Sequence, residues 1–263
     1  MSRQAVISAA VAPVHRQPSF SSEMITQAML WENIQIKATN DNWYKICMED
    51  GYDGWIHSFY LQHRDPAPEE YIFVTKRAVP VFHEINKTSS IRALLSFGTY
   101  VPIEEHNGTF CKICLPDDGR PAYIEFQEQV EVMSREAIIE LAISLIGVPY
   151  LWGGKSSFGY DCSGFVQMVL KTTGINVLRD TSQQIETKDL KKIHMDASEP
   201  GDLLFFAENN RINHVAFILG EGKIIHCSGQ VKIESILEGE QGFSKHLSQY
   251  KKAVMSIGGI ISS

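Results

Sequence analysis

An internal repeat occupies the first half of the 263-residue chain and constrains its fold more than any other feature. A shift of 67 residues aligns the segment 5–63 with the segment 71–131. The aligned pairs are Pro13-Val14 with Pro80-Val81, Ile34 with Val101, Ile36 with Ile103, Asn40 with Asn107, Trp43 with Phe110, Lys45-Ile46-Cys47 with Lys112-Ile113-Cys114, and Asp50 with Asp117. Each copy contains short alternating strands separated by Gly, Asn and Asp turns. The pattern predicts two copies of one small β unit, joined by the short, stiff linker 65–70.

Helical patterns begin only after the repeat. Ser134 is a suitable N-cap for a first helix that ends at Gly147, and Asp161 for a second that ends at Gly174. The apolar residues of the first helix are Ile138, Ile139, Ala142, Leu145 and Ile146, and those of the second are Phe165, Val166, Val169 and Leu170. Helices that follow separate β units predict an α+β chain.

The second helix begins with a cysteine, Cys162, directly after its cap. The positive end of the helix dipole favours the thiolate, which is the form of cysteine that attacks carbonyl groups. Sites of this kind lower the cysteine pKa from about 8.5 to roughly 3.5–7.5. A single buried cysteine is otherwise usually inert, so the interpretation of Cys162 as a nucleophile depends on a nearby base.

Two histidines lie on a predicted hairpin that could supply this base. His214 opens an apolar run, Gly220-Glu221-Gly222 supplies a turn, and His226 lies on the returning strand. If residue 214 pairs opposite residue 226 or 228, both histidines lie on one face of the hairpin, whereas a one-residue slip separates them. In the favourable register, His214 can take the proton of Cys162 and His226 can orient His214.

Charge and composition exclude several classes of function. The net charge of −7 and the acidic pI, about 5.7, argue against nucleic-acid binding and against a polybasic membrane surface. No apolar run approaches the roughly 18 residues that a membrane span needs. No metal site is expected, because Cys111 and Cys114 lack a second Cys or His pair, so we interpret Cys47, Cys111, Cys114 and Cys227 as structural thiols.

The first residues leave the cellular compartment open. Arg3 precedes the apolar run 5–12, which ends in an Ala-x-Ala pattern and could serve as a secretion signal. The repeat, however, claims part of the same run for the first β unit. Five cysteines and a nucleophilic thiol fit a reducing compartment, which favours the cytoplasm, with secretion or a periplasmic location as the alternative.

Several motifs together resemble the NlpC/p60 cysteine peptidases, which cut peptidoglycan stem peptides. They are Gly147-Val148-Pro149-Tyr150-Leu151-Trp152-Gly153-Gly154, Asp161-Cys162-Ser163-Gly164-Phe165-Val166, Pro200-Gly201-Asp202-Leu203-Leu204-Phe205-Phe206 and His214-Val215-Ala216-Phe217. The repeated β units resemble the bacterial SH3-like barrels that commonly precede such domains. The resemblance implies two small all-β SH3-like barrels, at 1–65 and 66–132, followed by a papain-like catalytic domain at 133–263.

The resemblance also implies roles for four residues and no cofactor. Cys162 is the expected nucleophile, His214 the base and His226 the third member of the catalytic group. Tyr150 falls where the family has a tyrosine near the oxyanion, and its phenol would donate a hydrogen bond to the developing charge. The alternative for Tyr150 is a packed aromatic residue after Pro149.

The combination of two SH3-like units with this catalytic domain resembles the endopeptidases of murein peptide recycling. These cut murein tripeptides and tetrapeptides between γ-D-glutamate and the following diamino acid, and they require a free N-terminal L-alanine. A buried ammonium needs carboxylates. We therefore expect a substrate-binding set that consists of Glu23, Tyr52, Trp152, Asp161, Ser163, Asp180 and Thr181. Glu23 is otherwise an ordinary exposed glutamate, and Asp161 also suits the helix cap.

Three other functions compete with peptide recycling. One is a secreted wall hydrolase that acts on intact peptidoglycan. Another is a non-catalytic binder of peptides or cell wall, and a third is an acyltransferase that uses the same thiol. The sequence does not distinguish diaminopimelate from lysine at the third position, and it leaves the oligomeric state open, with a monomer favoured.

Overall fold

The computed structural model describes residues 3–63, 70–129 and 134–260. Residues 65–69 of the predicted linker, and the predicted domain boundaries at 65/66 and 132/133, lie outside the described residues, so the boundaries stay predictions. The described residues up to Gln129, together with Trp152–Ser157, form one compact unit. A second unit contains the described residues from Ser134 to Leu151 and from Phe158 onward.

The first copy of the repeat forms a seven-stranded antiparallel sheet in the order β3-β2-β6-β5-β4-β1-β7. Its strands are β1 (Arg3–Ile7), β2 (Val11–His15), β3 (Met24–Met29), β4 (Asn33–Asn40), β5 (Trp43–Met48), β6 (Asp53–His57) and β7 (Leu61–Gln62). The apolar run 5–12 contributes to β1 and β2, with Ala5, Val6, Ile7 and Ala12 buried. Buried residues alternate with less buried ones along β2, β4 and β6, which gives these strands one apolar face.

The second copy forms a six-stranded sheet in the order β10-β9-β13-β12-β11-β8. Its strands are β8 (Tyr71–Phe73), β9 (Ala78–Phe82), β10 (Ile91–Ser96), β11 (Tyr100–His106), β12 (Phe110–Ile113) and β13 (Ala122–Glu125). The strands of this sheet follow the same order as β1 to β6 in the first sheet. A shift of 67 residues also maps the ends of β2 onto those of β9, and the ends of β3 onto those of β10. The two sheets therefore repeat one β unit, as the sequence predicts.

The two sheets share an apolar core within the first unit. Val6, Leu30 and Trp31 of the first copy pack in one cluster with buried residues of the second. The Trp31 indole Nε1 donates to the carbonyl of Cys114 at 2.8 Å, and the Tyr100 hydroxyl donates to the carbonyl of Trp31 at 2.6 Å. Both polar groups of these buried aromatic residues are thus satisfied.

The segment Trp152–Ser157, which contains β14 (Lys155–Ser156), is anchored in this first unit by buried polar contacts. Lys155 Nζ lies 2.8 Å from Glu32 Oε1, and both side chains are only 4% exposed. The Lys155 amide donates to Gln27 Oε1 at 2.8 Å, and the Ser157 amide donates to Ser96 Oγ at 2.8 Å. Buried charges are tolerated when paired in this way.

Four helices belong to the second unit: α1 (Arg135–Ser144), α2 (Cys162–Thr172), α3 (Thr181–Gln184) and α4 (Lys245–Ser248). The Ser134 hydroxyl caps α1 by accepting from the Ala137 amide, and Asp161 caps α2. Gly147 and Gly174 adopt positive φ angles of 89° and 86° after the two longer helices. Helix α2 is almost entirely buried, which makes it the central helix of this unit.

A six-stranded antiparallel sheet in the order β16-β21-β17-β18-β19-β20 completes the second unit. Its strands are β16 (Lys191–Ile193), β17 (Leu203–Glu208), β18 (Arg211–Gly220), β19 (Lys223–Ser228), β20 (Gln230–Ser235) and β21 (Lys251–Ser256); a short strand β15 (Gly159–Tyr160) lies just before α2. Within the described ranges, no helix combines the length and apolar character that a membrane crossing requires.

The predicted histidine hairpin consists of β18 and β19. Phe217 lies opposite Ile225 and Ile218 opposite Ile224. Continued towards residue 214, this register places residue 214 opposite residue 228, so that His214 and His226 share a face. The turn residues Glu221 and Gly222 have φ angles of 50° and 70°, which is typical of the tight turns that join hairpin strands.

Candidate active site

Cys162 is the first residue of α2, as predicted. The Asp161 carboxylate accepts a hydrogen bond from the Gly164 amide at 2.7 Å, which completes the N-cap. Cys162 is 8% exposed, and its Sγ lies 3.9 Å from Thr181 Oγ1 and 4.0 Å from the Asn213 carbonyl oxygen. The fold thus brings Thr181, at the start of α3, to the thiol.

The ionisation of Cys162 differs from the sequence-based expectation. Burial raises the pKa of the Cys162 thiol, and the nearby Asp161 raises it further. Hydrogen bonds from the Thr181 hydroxyl and from the amides of Val215 and Ser163 act in the opposite direction but do not reverse the shift. The expectation that the helix start lowers the pKa of Cys162 is therefore wrong, because desolvation outweighs the helix dipole.

The two histidines contact each other directly. His214 Nε2 lies 2.8 Å from His226 Nδ1, and the rings meet edge to face at 87° with centroids 4.9 Å apart. His226 is fully buried. The favourable hairpin register is thus the one the chain adopts.

Glu234 extends this pair. Its Oε2 lies 2.8 Å from His226 Nε2, and its Oε1 lies 3.0 Å from Lys232 Nζ. Lys232 and Glu234 lie two residues apart on β20, the strand that pairs with β19. The sequence analysis missed Glu234. The signal that could have identified it is the pair of polar residues Lys232 and Glu234, which share one face of the strand that follows the histidine strand.

Burial also shifts the histidines towards their neutral forms. It lowers the pKa of His214 to about 3, with smaller contributions from His226, His246 and Lys232. The pKa of His226 is lowered mainly by burial, although Glu234 opposes the shift. Burial thus favours the neutral thiol of Cys162 and the neutral imidazole of His214.

Asp161 belongs to a buried network that also includes Ser163 and Arg179. Arg179 is 1% exposed and binds Asp161 through both guanidinium nitrogens, at 3.0 Å and 2.5 Å. Its Nη1 also donates to Ser163 Oγ at 2.9 Å. Arg179 was not identified from the sequence. The network fixes the start of α2, and substrate binding by Asp161 and Ser163 stays a prediction.

Tyr150 remains a phenol near the thiol. Burial raises its pKa to about 12, and Cys162 and Asp161 add to the shift. Its side chain is 37% exposed, and its amide donates to the Gly229 carbonyl at 2.8 Å. A phenol that keeps its proton at neutral pH can donate a hydrogen bond to an oxyanion.

Asp180 is the N-cap of α3, directly before Thr181. Its backbone amide donates a hydrogen bond to Gln183 Oε1 at 3.2 Å, which forms part of a capping box. This position is one residue from the Thr181 hydroxyl near Cys162. A contact between Asp180 and substrate stays a prediction.

Glu23 and Trp152 are brought together in the first unit. Glu23 Oε1 accepts from the Trp152 indole at 3.0 Å, and Oε2 lies 2.6 Å from Arg16 Nε. The hydrogen bond from Arg16, and to a smaller extent that from Trp152, lowers the pKa of Glu23 and keeps its carboxylate ionised. Tyr52 lies between β5 and β6 and packs against the apolar core of the first sheet.

The other cysteines differ from Cys162. All five are thiols, and burial raises the pKa of Cys227 to about 12 while its Sγ donates to the Tyr160 carbonyl at 3.2 Å. Burial also raises the pKa of Cys111. Among the described residues, no group of three or more His, Cys, Asp or Glu side chains is arranged to hold a metal ion.

Comparison with known families matches two parts of the chain. Residues 147–252 match the model of the NlpC/P60 family, and this segment contains Cys162, His214, His226 and Glu234. Residues 14–59 match the model of the bacterial dipeptidyl-peptidase Sh3 domain. The second β unit is related to the first by its strand order, and its assignment as a separate barrel stays a prediction.

Three similar proteins span most of the chain. A gamma-D-glutamyl-L-lysine dipeptidyl-peptidase of Bacillus subtilis is 30% identical over 86% of this chain and 80% of its own length. A protein of the same name from Bacillus cereus is 26% identical over 78% of this chain and 68% of its own length. Dipeptidyl-peptidase 6 of Lysinibacillus sphaericus is 26% identical over 96% of this chain and 99% of its own length.

The fold has a solved counterpart. The crystal structure of an NlpC/P60 family protein from Bacillus cereus superposes with a TM-score of 0.79 and covers 95% of this chain and 98% of that protein at 21% identity. This likeness establishes the fold, and the sequence matches establish the kinship. The chain belongs to the NlpC/P60 family of cysteine-type peptidases and carries an SH3-like domain in its N-terminal part.

Proposed function

We propose that this protein is a cysteine endopeptidase that hydrolyses the bond between γ-D-glutamate and the following diamino acid in peptidoglycan stem peptides. The observation that carries the proposal is the chain of hydrogen bonds from Glu234 through His226 to His214, in a fold that places Cys162 at the start of a buried helix. A thiol with an oriented imidazole can catalyse acyl transfer without a metal.

Acylation begins with the neutral thiol and imidazole. The sulfur of Cys162 attacks the γ-carbonyl carbon of D-glutamate while a ring nitrogen of His214 takes the thiol proton. The carbonyl π electrons move to the oxygen, which becomes an oxyanion. When the C–N bond breaks, the imidazolium of His214 donates its proton to the leaving amine of the diamino acid.

Two donors stabilise the oxyanion in this scheme. The Tyr150 phenol keeps its proton because its pKa is raised to about 12, and the backbone amide of Cys162 lies at the start of α2. Donors aimed at the developing charge lower the barrier because they need no rearrangement during the reaction.

Deacylation repeats the proton transfers in reverse. His214 removes a proton from a water molecule, whose oxygen attacks the thioester carbonyl. The C–S bond then breaks, and the thiol of Cys162 recovers its proton from His214. The products are the dipeptide L-Ala-γ-D-Glu and a peptide or amino acid that begins with the diamino acid.

The free N-terminus of the substrate is the proposed source of specificity. The ionised carboxylate of Glu23, held by Trp152 and Arg16, is the proposed partner of the L-alanine ammonium. Each carboxylate oxygen has a further lone pair available. Tyr52, Asp161, Ser163, Asp180 and Thr181 complete the proposed substrate-binding set. The printed names of the relatives, which are dipeptidyl-peptidases acting at γ-D-glutamyl-L-lysine, support this substrate class.

Requirement for a free amino terminus implies that the substrates are released peptides. We therefore propose a role in murein peptide recycling in the cytoplasm, with the protein acting as a monomer. A hydrolase of intact walls would instead meet stem peptides whose L-alanine is blocked by an amide bond.

Product analysis by mass spectrometry tests the proposal. Wild-type protein should release L-Ala-γ-D-Glu from L-Ala-γ-D-Glu-L-Lys or from the corresponding diaminopimelate peptide, and acetylation of the N-terminus should block the reaction. Cys162→Ala should abolish release while the circular-dichroism spectrum stays unchanged. Cleavage by Cys162→Ala at the wild-type rate would refute the mechanism.

The same assay tests the substrate-binding part separately. Glu23→Gln should raise KM for free-amine peptides, and an unchanged KM would remove Glu23 from the site. Purified sacculi serve as the second substrate. Solubilised fragments from sacculi, together with cleavage of acetylated peptides, would support a wall hydrolase instead.

A further inference from the structure

We propose that Glu234 is a positioning residue that sets the tautomers of both histidines and thereby determines which nitrogen of His214 acts as the base. The inference deepens the proposed peptidase function and rests on it. Glu234 contacts neither the thiol nor, in the proposed mechanism, the substrate. It acts through His226.

The hydrogen bonds form one line through three side chains. Glu234 Oε2 lies 2.8 Å from His226 Nε2, and His226 Nδ1 lies 2.8 Å from His214 Nε2. His226 is completely buried, and the Glu234 side chain is 22% exposed. Lys232 holds the other carboxylate oxygen at 3.0 Å, which restricts the orientation of the carboxylate.

The charge of Glu234 determines the direction of every bond in this line. Burial would raise its pKa, but hydrogen bonds from Lys232 and His226 and the attraction of His226 outweigh burial, so that the pKa is lowered. An ionised carboxylate only accepts hydrogen bonds, so His226 must carry a proton on Nε2. In neutral His226 the other nitrogen, Nδ1, then has no proton and accepts from Nε2–H of His214.

The consequence for His214 follows directly. A neutral imidazole with its proton on Nε2 has an unprotonated Nδ1, which is the ring atom left to take the thiol proton of Cys162. After proton transfer, the positive charge on His214 is stabilised through His226 by the carboxylate. Without Glu234, His226 could carry its proton on Nδ1 and donate it to Nε2 of His214. The proton of neutral His214 would then lie on Nδ1, which could no longer accept the thiol proton.

Nitrogen NMR of ¹⁵N-histidine-labelled full-length protein tests the tautomers directly. In wild-type protein at neutral pH, both His214 and His226 should show Nε2 protonated and Nδ1 unprotonated. Glu234→Ala should give a mixture of tautomers for His226. Wild-type tautomers in Glu234→Ala would overturn the proposal, and this readout holds even if the substrate proposed above is wrong.

Kinetics supply the second readout. Glu234→Gln should lower kcat by about 10- to 100-fold, as the loss of a hydrogen-bonded partner does at metal-binding histidines, with a smaller change in KM. Both limbs of the pH profile of kcat/KM should move to lower pH, because loss of a negative charge favours deprotonation of the Cys162–His214 pair at each step.

The Glu234 variants keep all the other charged and titratable groups near His214. They are His226 on β19, Lys232 on β20, His246 on α4, and Cys162 and the adjacent Asp161 at the start of α2. Glu238→Gln is the matched control, since Glu238 is exposed in the loop after β20, and it should leave both kcat and the pH profile unchanged.

The outcomes distinguish positioning from a purely structural role. A lower kcat with unchanged pH limbs and unchanged tautomers would show that Glu234 only supports the fold, and would refute the inference. If Glu234→Ala does not fold, Glu234→Leu, which likewise cannot accept a hydrogen bond from His226, serves for the tautomer measurement. Failure of wild-type protein to cleave any tested peptide, with the expected tautomers present, would refute the proposed function and not this inference.

Discussion

At the scale of single residues, burial opposes the charged forms of both reacting groups. The pKa of Cys162 is raised and that of His214 is lowered to about 3, although the thiol lies at the positive end of a helix. Loss of hydration on burial destabilises the thiolate by more free energy than the helix terminus and the three hydrogen bonds supply. In the proposed mechanism, attack therefore depends on a proton transfer from Cys162 to His214, for which orientation of the imidazole matters more than a pre-formed thiolate.

The pH dependence of alkylation checks this charge state. A thiol with a raised pKa has less thiolate at every pH below that value, so the rate of Cys162 alkylation by iodoacetamide should rise about tenfold per pH unit through the neutral range. Mass spectrometry of the peptide that contains Cys162 separates it from the other thiols. A rate that stays constant from about pH 5 to pH 8, as an ion pair of thiolate and imidazolium would produce, contradicts the prediction.

At the scale of secondary-structure elements, the position of the segment Trp152–Ser157 depends on a close backbone contact at Gly153. Gly153 has a φ angle of 71°, and a Cβ added there would lie 2.6 Å from the carbonyl oxygen of Met24. A backbone atom cannot move aside as a side chain can. Gly153 therefore fixes the approach of Trp152 to Glu23 within the first unit.

Alanine at Gly153 should therefore destabilise the protein more than alanine at another glycine with positive φ. Gly51, at φ 79°, has no atom within 4 Å of an added Cβ and is the matched control. We expect Gly51→Ala to lower the free energy of unfolding by about 1 kcal/mol and Gly153→Ala by roughly 2–4 kcal/mol. Urea unfolding measures both, and equal losses would show that the contact with Met24 relaxes freely.

At the scale of the whole molecule, the first unit contains two copies of one β motif and a segment from the catalytic half of the sequence. The buried pair of Lys155 and Glu32 anchors that segment, and the Met29 amide also donates to Glu32 at 3.0 Å. Residues more than a hundred positions apart in the sequence thus share one buried ion pair. The segment Trp152–Ser157 therefore depends on the β repeat for part of its stability.

Removal of Lys155 should leave the Glu32 carboxylate as a buried charge without its counter-ion. We expect Lys155→Met to lower the free energy of unfolding by about 3–5 kcal/mol, and addition of Glu32→Gln to restore part of the loss. The exposed pair of Lys112 and Glu104, with the same 2.8 Å separation, is the control, and Lys112→Met should leave the unfolding midpoint almost unchanged. Equal effects of the two lysine variants would contradict the role of burial.

Local patterns of the sequence predicted much of this architecture. The 67-residue repeat predicted two equivalent β units, and the caps Ser134 and Asp161 predicted where α1 and α2 begin. Each of these features depends on residues close together in the chain. The hairpin was predicted too, but its sequence allowed more than one register. The neighbouring strands and the His214–His226 contact determine which register is present.

Tertiary structure decided the charge states and the partners of the site. Strand pairing brings Glu234 to His226, packing brings Arg179 to Asp161, and the sign of the Cys162 pKa shift depends on the solvent that packing excludes. Chain order identifies which group is present, while desolvation and hydrogen-bond direction depend on what surrounds it in three dimensions. The sequence by itself thus determined the repeat, the helix starts and the identity of the thiol and the histidines, and packing determined where their protons reside.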